Sequence, residues 1–524
     1  MSSFPAVRSA VPSPDGSLVA TLQKSRLLVR SAATSEVIVS WPLAAEFVIK
    51  CNTIQWSRSS RDRTANEQRI LLADQDSVRI YCTEDPNWQA SVDNAAGNLG
   101  QLSNVVFGHS LSDILVFSDF GVKLTIWSLI TRRGSEIRDP KSSVACFDIR
   151  SETGHLALLT RTTAQDTLLL LQPATFELLK SVELSTVDAQ EVRWSRDGRW
   201  IAIRDIASVG HRVQIYTADG HLFRTFSGVQ DPDQIELGVR CMEWTASGLL
   251  VIGDYNDNVT VLSKTTFNPL KTLHHTTPIS LPGIEIWEEQ LKAGMERSYA
   301  LAAHPANPPS SSAITKSLPA KQGVSVMALN SDQTMLVTRS DAAPTTAWLW
   351  SMKTLKPITV LIHHSPIRHL NWHPQQPDLL LIHCAFQEPT VHFWKSNWDS
   401  PLAIKLPLER AAGRLESSWV QSNDAENFSV LLSSSVSSIV SRISAAGELV
   451  HVNNASHTKT EMMIDEAGVE DMFDEGNSLE FSPVRFEDTM GYGTLNDLGR
   501  SNLGTTEAIV DDTFHYRRQN QAIA

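Results

Sequence analysis

The 524-residue chain carries 45 Lys and Arg against 58 Asp and Glu, a formal charge of −13, with 42% hydrophobic and 20% charged residues. This is a globular composition, too long for one ordinary compact domain, and it excludes collagen, coiled-coil and wholly disordered chains. No aliphatic run exceeds four residues, as at Leu168 to Leu171, far short of a membrane helix, and Pro5, Pro12 and Pro14 interrupt the start of the chain where a signal-peptide core would lie. An intracellular, soluble protein without membrane contact is expected.

The charge is unevenly placed. Residues 461–512 hold 14 acidic against two basic residues, Arg485 and Arg500, leaving −1 for the rest of the chain. A nearly neutral body with no basic stripe lacks the phosphate-neutralising footprint of nucleic-acid binding. Cys51, Cys82, Cys146, Cys241 and Cys384 are too scattered for a disulfide framework or metal-ligand spacing and read as buried thiols.

Along the chain one pattern returns: an apolar strand ending in an aromatic, a Ser/Asp/Gly turn, then another apolar strand. It starts at Ser13-Pro14-Asp15-Gly16 and Ile54-Gln55-Trp56-Ser57, and weaker copies follow at Val106-Phe107-Gly108-His109 and Ile149 to Gly154. The clearest copy is Val192-Arg193-Trp194-Ser195-Arg196-Asp197-Gly198, running into Trp200-Ile201-Ala202-Ile203. Met242-Glu243-Trp244-Thr245, Leu329 to Asp332, Asn371-Trp372-His373-Pro374 and Ser418-Trp419-Val420 complete the series. The residue before each turn stands at 12, 56, 107, 150, 194, 244, 329, 372 and 419, giving intervals of 44, 51, 43, 44, 50, 85, 43 and 47. A four-stranded propeller blade takes about 40–50 residues, so the interval of 85 marks an insertion. Alternating third strands close on an aromatic at Tyr81, Trp127, Tyr216, Trp350 and Trp394.

The anchors of Trp-Ser-Arg-Asp-Gly type and the third strands ending in Trp resemble degenerate WD repeats, although the Trp-Asp dipeptide itself is absent. The resemblance covers roughly residues 5–450. It implies an all-β, WD-repeat-like β-propeller of seven to nine four-stranded blades in a single ring, with some copies partial and a terminal strand completing the first blade. Within that superfamily, Ser13-Pro14-Asp15-Gly16, Phe120-Gly121-Val122-Lys123-Leu124-Thr125-Ile126-Trp127-Ser128-Leu129, Trp194-Ser195-Arg196-Asp197-Gly198 and His364-Ser365-Pro366-Ile367 resemble the spindle-pole and centrosomal WD-repeat family, whose founding gene lies antisense to a tumour-protein gene.

Two segments fall outside the repeats. Residues 276–323 form the insertion, where Ile284, Trp287, Leu291 and Met295 share one face of a helix expected at about 283–299, with Glu288 and Lys292 paired at i, i+4. A Pro/Ser/Ala loop follows. Residues 455–524 form an acidic tail expected to be disordered, with Phe473, Phe481 and Phe486 set among acids and Ser482-Pro483 as a candidate phosphosite.

The search for chemistry returns no catalytic, cofactor or metal site. His363, His364, His369, His373, His383 and Cys384 are near in sequence, but the blade pattern spreads them over different strands, so convergence on a metal is not expected. Gly491, Gly493 and Gly499 sit among acids that repel phosphate, and no nucleophile elbow, zinc-helix motif or P-loop occurs. Glu288 and Glu289 are adjacent rather than opposed across a cleft.

What remains is surface. A propeller displays loops on two broad faces, and partner binding rests on a few aromatic anchors. Candidates are Trp88, Trp398, Trp287 and the tail residues Phe473, Phe481 and Phe486. The family resemblance implies a non-enzymatic adaptor of the cytoplasm and cytoskeleton, at the spindle pole body or microtubule-organising centre. There it would join a coiled-coil anchoring protein and, as in yeast members of that family, a minus-end-directed kinesin, to hold microtubule minus ends. The competing readings are a substrate receptor or scaffold in a ubiquitin-ligase or RNA-processing complex, and a hydrolase with a site in the central channel.

Overall fold

Strands that alternate between two apolar faces make a sheet that needs a cover on both sides, and here each sheet is covered by the next. The computed structural model describes residues 2–5, 10–58, 67–93, 101–228, 236–292, 296–309, 322–385, 388–408, 414–422, 427–450 and 478–481. They form nine antiparallel blades, at residues 11–42, 53–93, 102–138, 147–183, 191–226, 239–274, 324–362, 367–405 and 416–444. Each blade runs outward from its first strand. First strands of neighbouring blades touch around the axis, while fourth strands such as Leu178–Glu183 and Leu222–Phe226 are the exposed ones.

Period-two alternation explains how the blades join. In the third strand of blade 7, Thr346–Ser351, Trp348 and Trp350 pack with Val251 and Val259 of blade 6, whereas Ala347 and Leu349 pack with Ile367 and Leu380 of blade 8. The same sharing recurs between every consecutive pair of blades among the described residues. Ala10, Val19 and Ala32 of blade 1 meet Val420 and Leu431 of blade 9, which closes a single ring. Backbone pairing closes it a second time: Ser2–Pro5 pairs antiparallel with Ser437–Ser444 as the fourth strand of blade 9. The terminal strand therefore completes the last blade and not the first, and none of the weak sequence copies is a partial blade.

All nine sequence anchors fall at or beside the end of a first strand, and the structure shows what the tryptophans do there. The indole Nε1 of Trp56 donates to Val11 O at 2.9 Å, Trp244 to Arg193 O at 3.2 Å, Trp372 to Ala328 O at 2.9 Å and Trp419 to Asn371 O at 2.9 Å. In each case the acceptor is the residue before the anchor of the preceding blade. The residue after the anchor shapes the turn: Ser195 Oγ accepts from Trp200 N at 2.9 Å and donates to Asp197 at 2.6 Å, and Ser13 Oγ accepts from Leu18 N at 3.0 Å. Gly16 and Gly198 have φ of 74° and 66°, the left-handed region in which a side chain is strained.

The insertion departs from its expected form. Instead of a helix at 283–299, Glu285–Leu291 and Arg297–Leu301 form an antiparallel hairpin, and Glu285–Leu291 pairs in parallel with Lys356–Ile362, giving blade 7 six strands. The open edge of the fourth strand supplies backbone partners that outweigh helix propensity. The Glu288–Lys292 helical pair therefore does not form, and Met295 lies outside the described residues. An antiparallel bridge between Ile279 and Ala306 pins the base of the insertion. Of the tail, Ser478–Phe481 is not disordered but a strand parallel to Gln89–Asp93 at the outer edge of blade 2. The rest of the tail lies outside the described residues.

Trp194 is 7% exposed and packs with Leu168, Ile201 and Tyr216 at the boundary of blades 4 and 5. Trp194→Ala is expected to cost about 3–5 kcal/mol in denaturant unfolding. Trp372→Phe keeps an aromatic side chain but removes the inter-blade hydrogen bond, and should cost at least about 1 kcal/mol.

Candidate interaction surface

Antiparallel order puts the loops between strands one and two, and between three and four, on one face of the ring. The loops between strands two and three, and between blades, lie on the other. Among the described residues the exposed large apolar side chains of the loops are distributed unequally. Ile49, Phe120, Val122, Val144, Val187, Leu237 and Val436 all belong to the second face, and Ile130 alone to the first. Isolated apolar residues on a surface are ordinary; concentration on one face marks an interaction site.

Phe120 is the extreme case. It is 97% exposed, at the tip of the loop between Asp113–Ser118 and Lys123–Ser128, with φ 59°. A non-glycine residue in this region costs about 1–2 kcal/mol. Gly121 beside it also has positive φ, and a Cβ there would lie 2.7 Å from Pro140 O. The backbone is thus held in a shape that lifts an uncovered aromatic ring into solvent.

The loops around it are braced. The buried Asp166 carboxylate accepts from Ala189 N at 2.6 Å and Thr186 Oγ1 at 2.8 Å, and pairs with Lys141 Nζ at 2.8 Å. Burial alone would raise its pKa, but the bonds from Lys141, Ala189 and Thr186 outweigh burial and hold it below the ordinary value. Asp205 accepts from Val187 N and Asp188 N at 3.0 and 2.9 Å, fixing the loop that carries Val187. After blade 6, His275 Nε2 lies 2.7 Å from Thr338 Oγ1, which accepts from Trp350 Nε1 at 2.8 Å. An inter-blade loop is thereby tied to the second and third strands of blade 7, which gives the aromatic that closes a third strand a second role.

The opposite face holds a polar cavity of about 380 Å³ where the first turns of blades 8, 9 and 1 meet, lined by residues 13–16, 373–376, 419–422 and Asn427. Gln421 N donates to Gly16 O at 2.8 Å across the closure of the ring. Within this lining, His373 Nδ1 accepts from Gln375 N and Gln376 N at 3.1 and 3.0 Å, and its ring stands edge-on to Trp419 at 4.7 Å.

The sequence-predicted anchors fare differently. Trp287 is buried at the boundary of blades 7 and 8 and is no surface anchor. Half-buried Trp88 packs on blade 2 under the Arg69 guanidinium, 4.1 Å from the ring centroid. Trp398 packs near Phe428 and donates to Ala445 O at 3.0 Å. Trp287 is thus committed to the core, while Trp88 and Trp398 pack on one side and remain half-buried. Phe473, Phe486 and Ser482 lie outside the described residues, and Phe481 ends the tail strand on blade 2. Nothing in the sequence singles out Phe120, because exposure of a loop aromatic leaves no periodic signal.

The histidine cluster also differs from expectation. His369 and His383 stack at 6.2 Å, and His373 is in the first turn of blade 8. His363 and Cys384, however, do converge, together with His392. Glu289 accepts from His364 N at 2.7 Å and pairs with Arg297 at 2.7 Å, bringing the inserted hairpin to the same place.

No family model matches the chain. It is 25% identical to the WD repeat-containing protein WRAP73 of Mus musculus over 391 residues, covering 70% of this chain and 81% of the mouse protein. It is 26% identical over 434 residues to an uncharacterized WD repeat-containing protein of Schizosaccharomyces pombe, covering 80% and 86% of the two chains. Both alignments run through most of a ring with nine WD-like blades. The chain resembles these WD-repeat proteins over most of its length. Among solved structures, a eukaryotic initiation factor aligns over 76% of this chain and 87% of its own, with 10% identity and a TM-score of 0.49. The designed protein Ika8 aligns over 74% and 95%, with 12% identity and a TM-score of 0.40. Likeness at that level adds nothing to the fold argument. WD-repeat propellers mediate protein–protein interactions and are in general non-enzymatic scaffolds, and the apolar, braced face of this one suits that use. No helix among the described residues is long and apolar enough to cross a membrane.

Burial lowers the His373 pKa from 6.5 to about 4. The neutral ring is therefore favoured in the folded chain, and its contribution to stability is complete above the unfolded value of about 6.5 and lost as pH falls toward 4. Thermal melting followed from pH 7 to 4 should show a falling Tm, and His373→Gln should flatten the fall.

Proposed function

We propose that this WD-repeat protein is an adaptor of the microtubule-organising centre, the spindle pole body in fungi, that joins a coiled-coil anchoring protein and a minus-end-directed kinesin to hold microtubule minus ends. The observation that carries the scaffold part is the concentration of exposed apolar side chains, led by Phe120, on the face built from inter-blade loops. The cellular assignment rests on the resemblance to the spindle-pole family carried by residues 13–16, 120–129, 194–198 and 364–367. A face of this kind can bury the roughly 1,200–2,000 Å² of a specific complex around a few anchors. Holding two partners on one stiff ring raises the effective concentration of each for the other, and no contact with tubulin is needed.

Live imaging of a fluorescent fusion through mitosis tests the cellular assignment: a focus at each pole is expected, and a diffuse signal in dividing cells would refute it. Affinity purification tests the surface. Phe120→Asp should leave the unfolding free energy within about 1 kcal/mol of wild type, because the side chain touches nothing buried, yet strip the coiled-coil partner from the purified complex. Recovery of ubiquitin-ligase or RNA-processing subunits in place of pole components would transfer the same face to the competing reading.

A further inference from the structure

Beneath the loop face, at the boundary of blades 7 and 8, the fold gathers groups that are far apart in sequence. His363 follows the fourth strand of blade 7, Cys384 ends the second strand of blade 8 and His392 lies in the third. All three are at most 2% exposed. One ring nitrogen from each histidine and the Cys384 sulfur lie within 4.8 Å of one another.

Three further observations separate this cluster from ordinary core histidines. Tyr299 Oη lies 2.9 Å from Nδ1 of both His363 and His392, so one hydroxyl from the inserted hairpin orients two imidazoles. His363 Nε2 is buried without a hydrogen-bond partner, a position that costs free energy unless something occupies it. The Glu289 carboxylate, itself 2% exposed, places Oε1 3.8 Å from His392 Nε2.

We propose that His363, Cys384 and His392 form a structural zinc site that staples blade 7 to blade 8, with Glu289 of the inserted hairpin as the nearest further donor. Two imidazoles, a thiolate and a carboxylate are a donor set suited to Zn²⁺. Ligands at about 2.0–2.3 Å from a tetrahedral ion stand about 3.5 Å apart, so the present spacing closes by side-chain rotations of roughly an ångström. Charge also balances. The ion's two positive charges meet the thiolate and Glu289, while Arg297, 2.7 Å from Glu289, is offset by Glu388 at 3.9 Å. Binding replaces the S–H bond of Cys384 by a Zn–S bond, with the thiol proton released to solvent, while each imidazole ligates through a nitrogen lone pair. The bond from Tyr299 gives each ring the outer partner that metal-bound histidines carry.

The test uses the full chain, purified under reducing conditions, stripped with a chelator and titrated with Co²⁺. One equivalent should produce tetrahedral d–d absorption and a thiolate-to-cobalt charge-transfer band, both displaced by Zn²⁺. Native mass spectrometry of the zinc-loaded chain should show one ion, and zinc should raise Tm. Cys384→Ser should abolish the charge-transfer band, His363→Gln should weaken zinc binding at least tenfold, and Cys146→Ser, a buried thiol elsewhere in the ring, should change neither. Cooperatively folded wild-type chain that takes up no cobalt overturns the site, whether or not the variants fold. A charge-transfer band that survives Cys384→Ser in folded protein overturns it equally.

Discussion

The structure depends on one constraint: each four-stranded sheet is apolar on both faces and has no cover of its own. A blade alone would expose Trp348 and Trp350 on one side and Leu349 on the other. Stacking around an axis is the arrangement in which every sheet covers two neighbours, and closure leaves no blade with an open face. The boundary between the last and first blades is the point where this can fail, and the chain secures it twice. A small apolar cluster joins Ala10, Val19 and Ala32 to Val420 and Leu431, and the strand Ser2–Pro5 completes blade 9. Folding of the ring therefore waits on a contact between the two ends of the repeat array, the most expensive loop closure in the molecule.

On that frame the anchor tryptophans act between blades as much as within them. The indoles of Trp56, Trp244, Trp372 and Trp419 reach the carbonyl before the preceding anchor, so one residue type repeats both a packing contact and a directional bond. The polar residues that look irregular in sequence have matching tasks. Asp166, Asp205 and the His275–Thr338–Trp350 chain hold inter-blade loops in place, which keeps the apolar face around Phe120 rigid and reduces the ordering cost of binding a partner.

The insertion shows how a sheet edge overrides local preference. The apolar spacing at Ile284, Trp287 and Leu291 suits a helix, and Glu-Glu-Gln-Leu-Lys-Ala favours one. Propensity contributes tenths of a kcal/mol per residue, while an exposed edge offers a row of unpaired backbone groups. The hairpin that results buries Trp287 and Glu289 and carries Tyr299 to His363 and His392. The same strand that removes Trp287 from the surface assembles the buried cluster.

The amino-acid sequence specifies the architecture: the strand period and the nine turn anchors, six of them aromatic and all but one pair 43–51 residues apart, reveal the blades and locate the insertion, because these signals are local and recur along the chain. It also carried the WD-repeat resemblance in residues such as 194–198. How the ring closes, that Trp287 is buried while Phe120 stands free, and that His392 joins His363 and Cys384 while His369 and His383 pair elsewhere are settled only in the tertiary structure. Each of these depends on which residues meet across blade boundaries. Such meetings are fixed by ring closure and by the register of the inserted hairpin, and no local pattern in the chain encodes them.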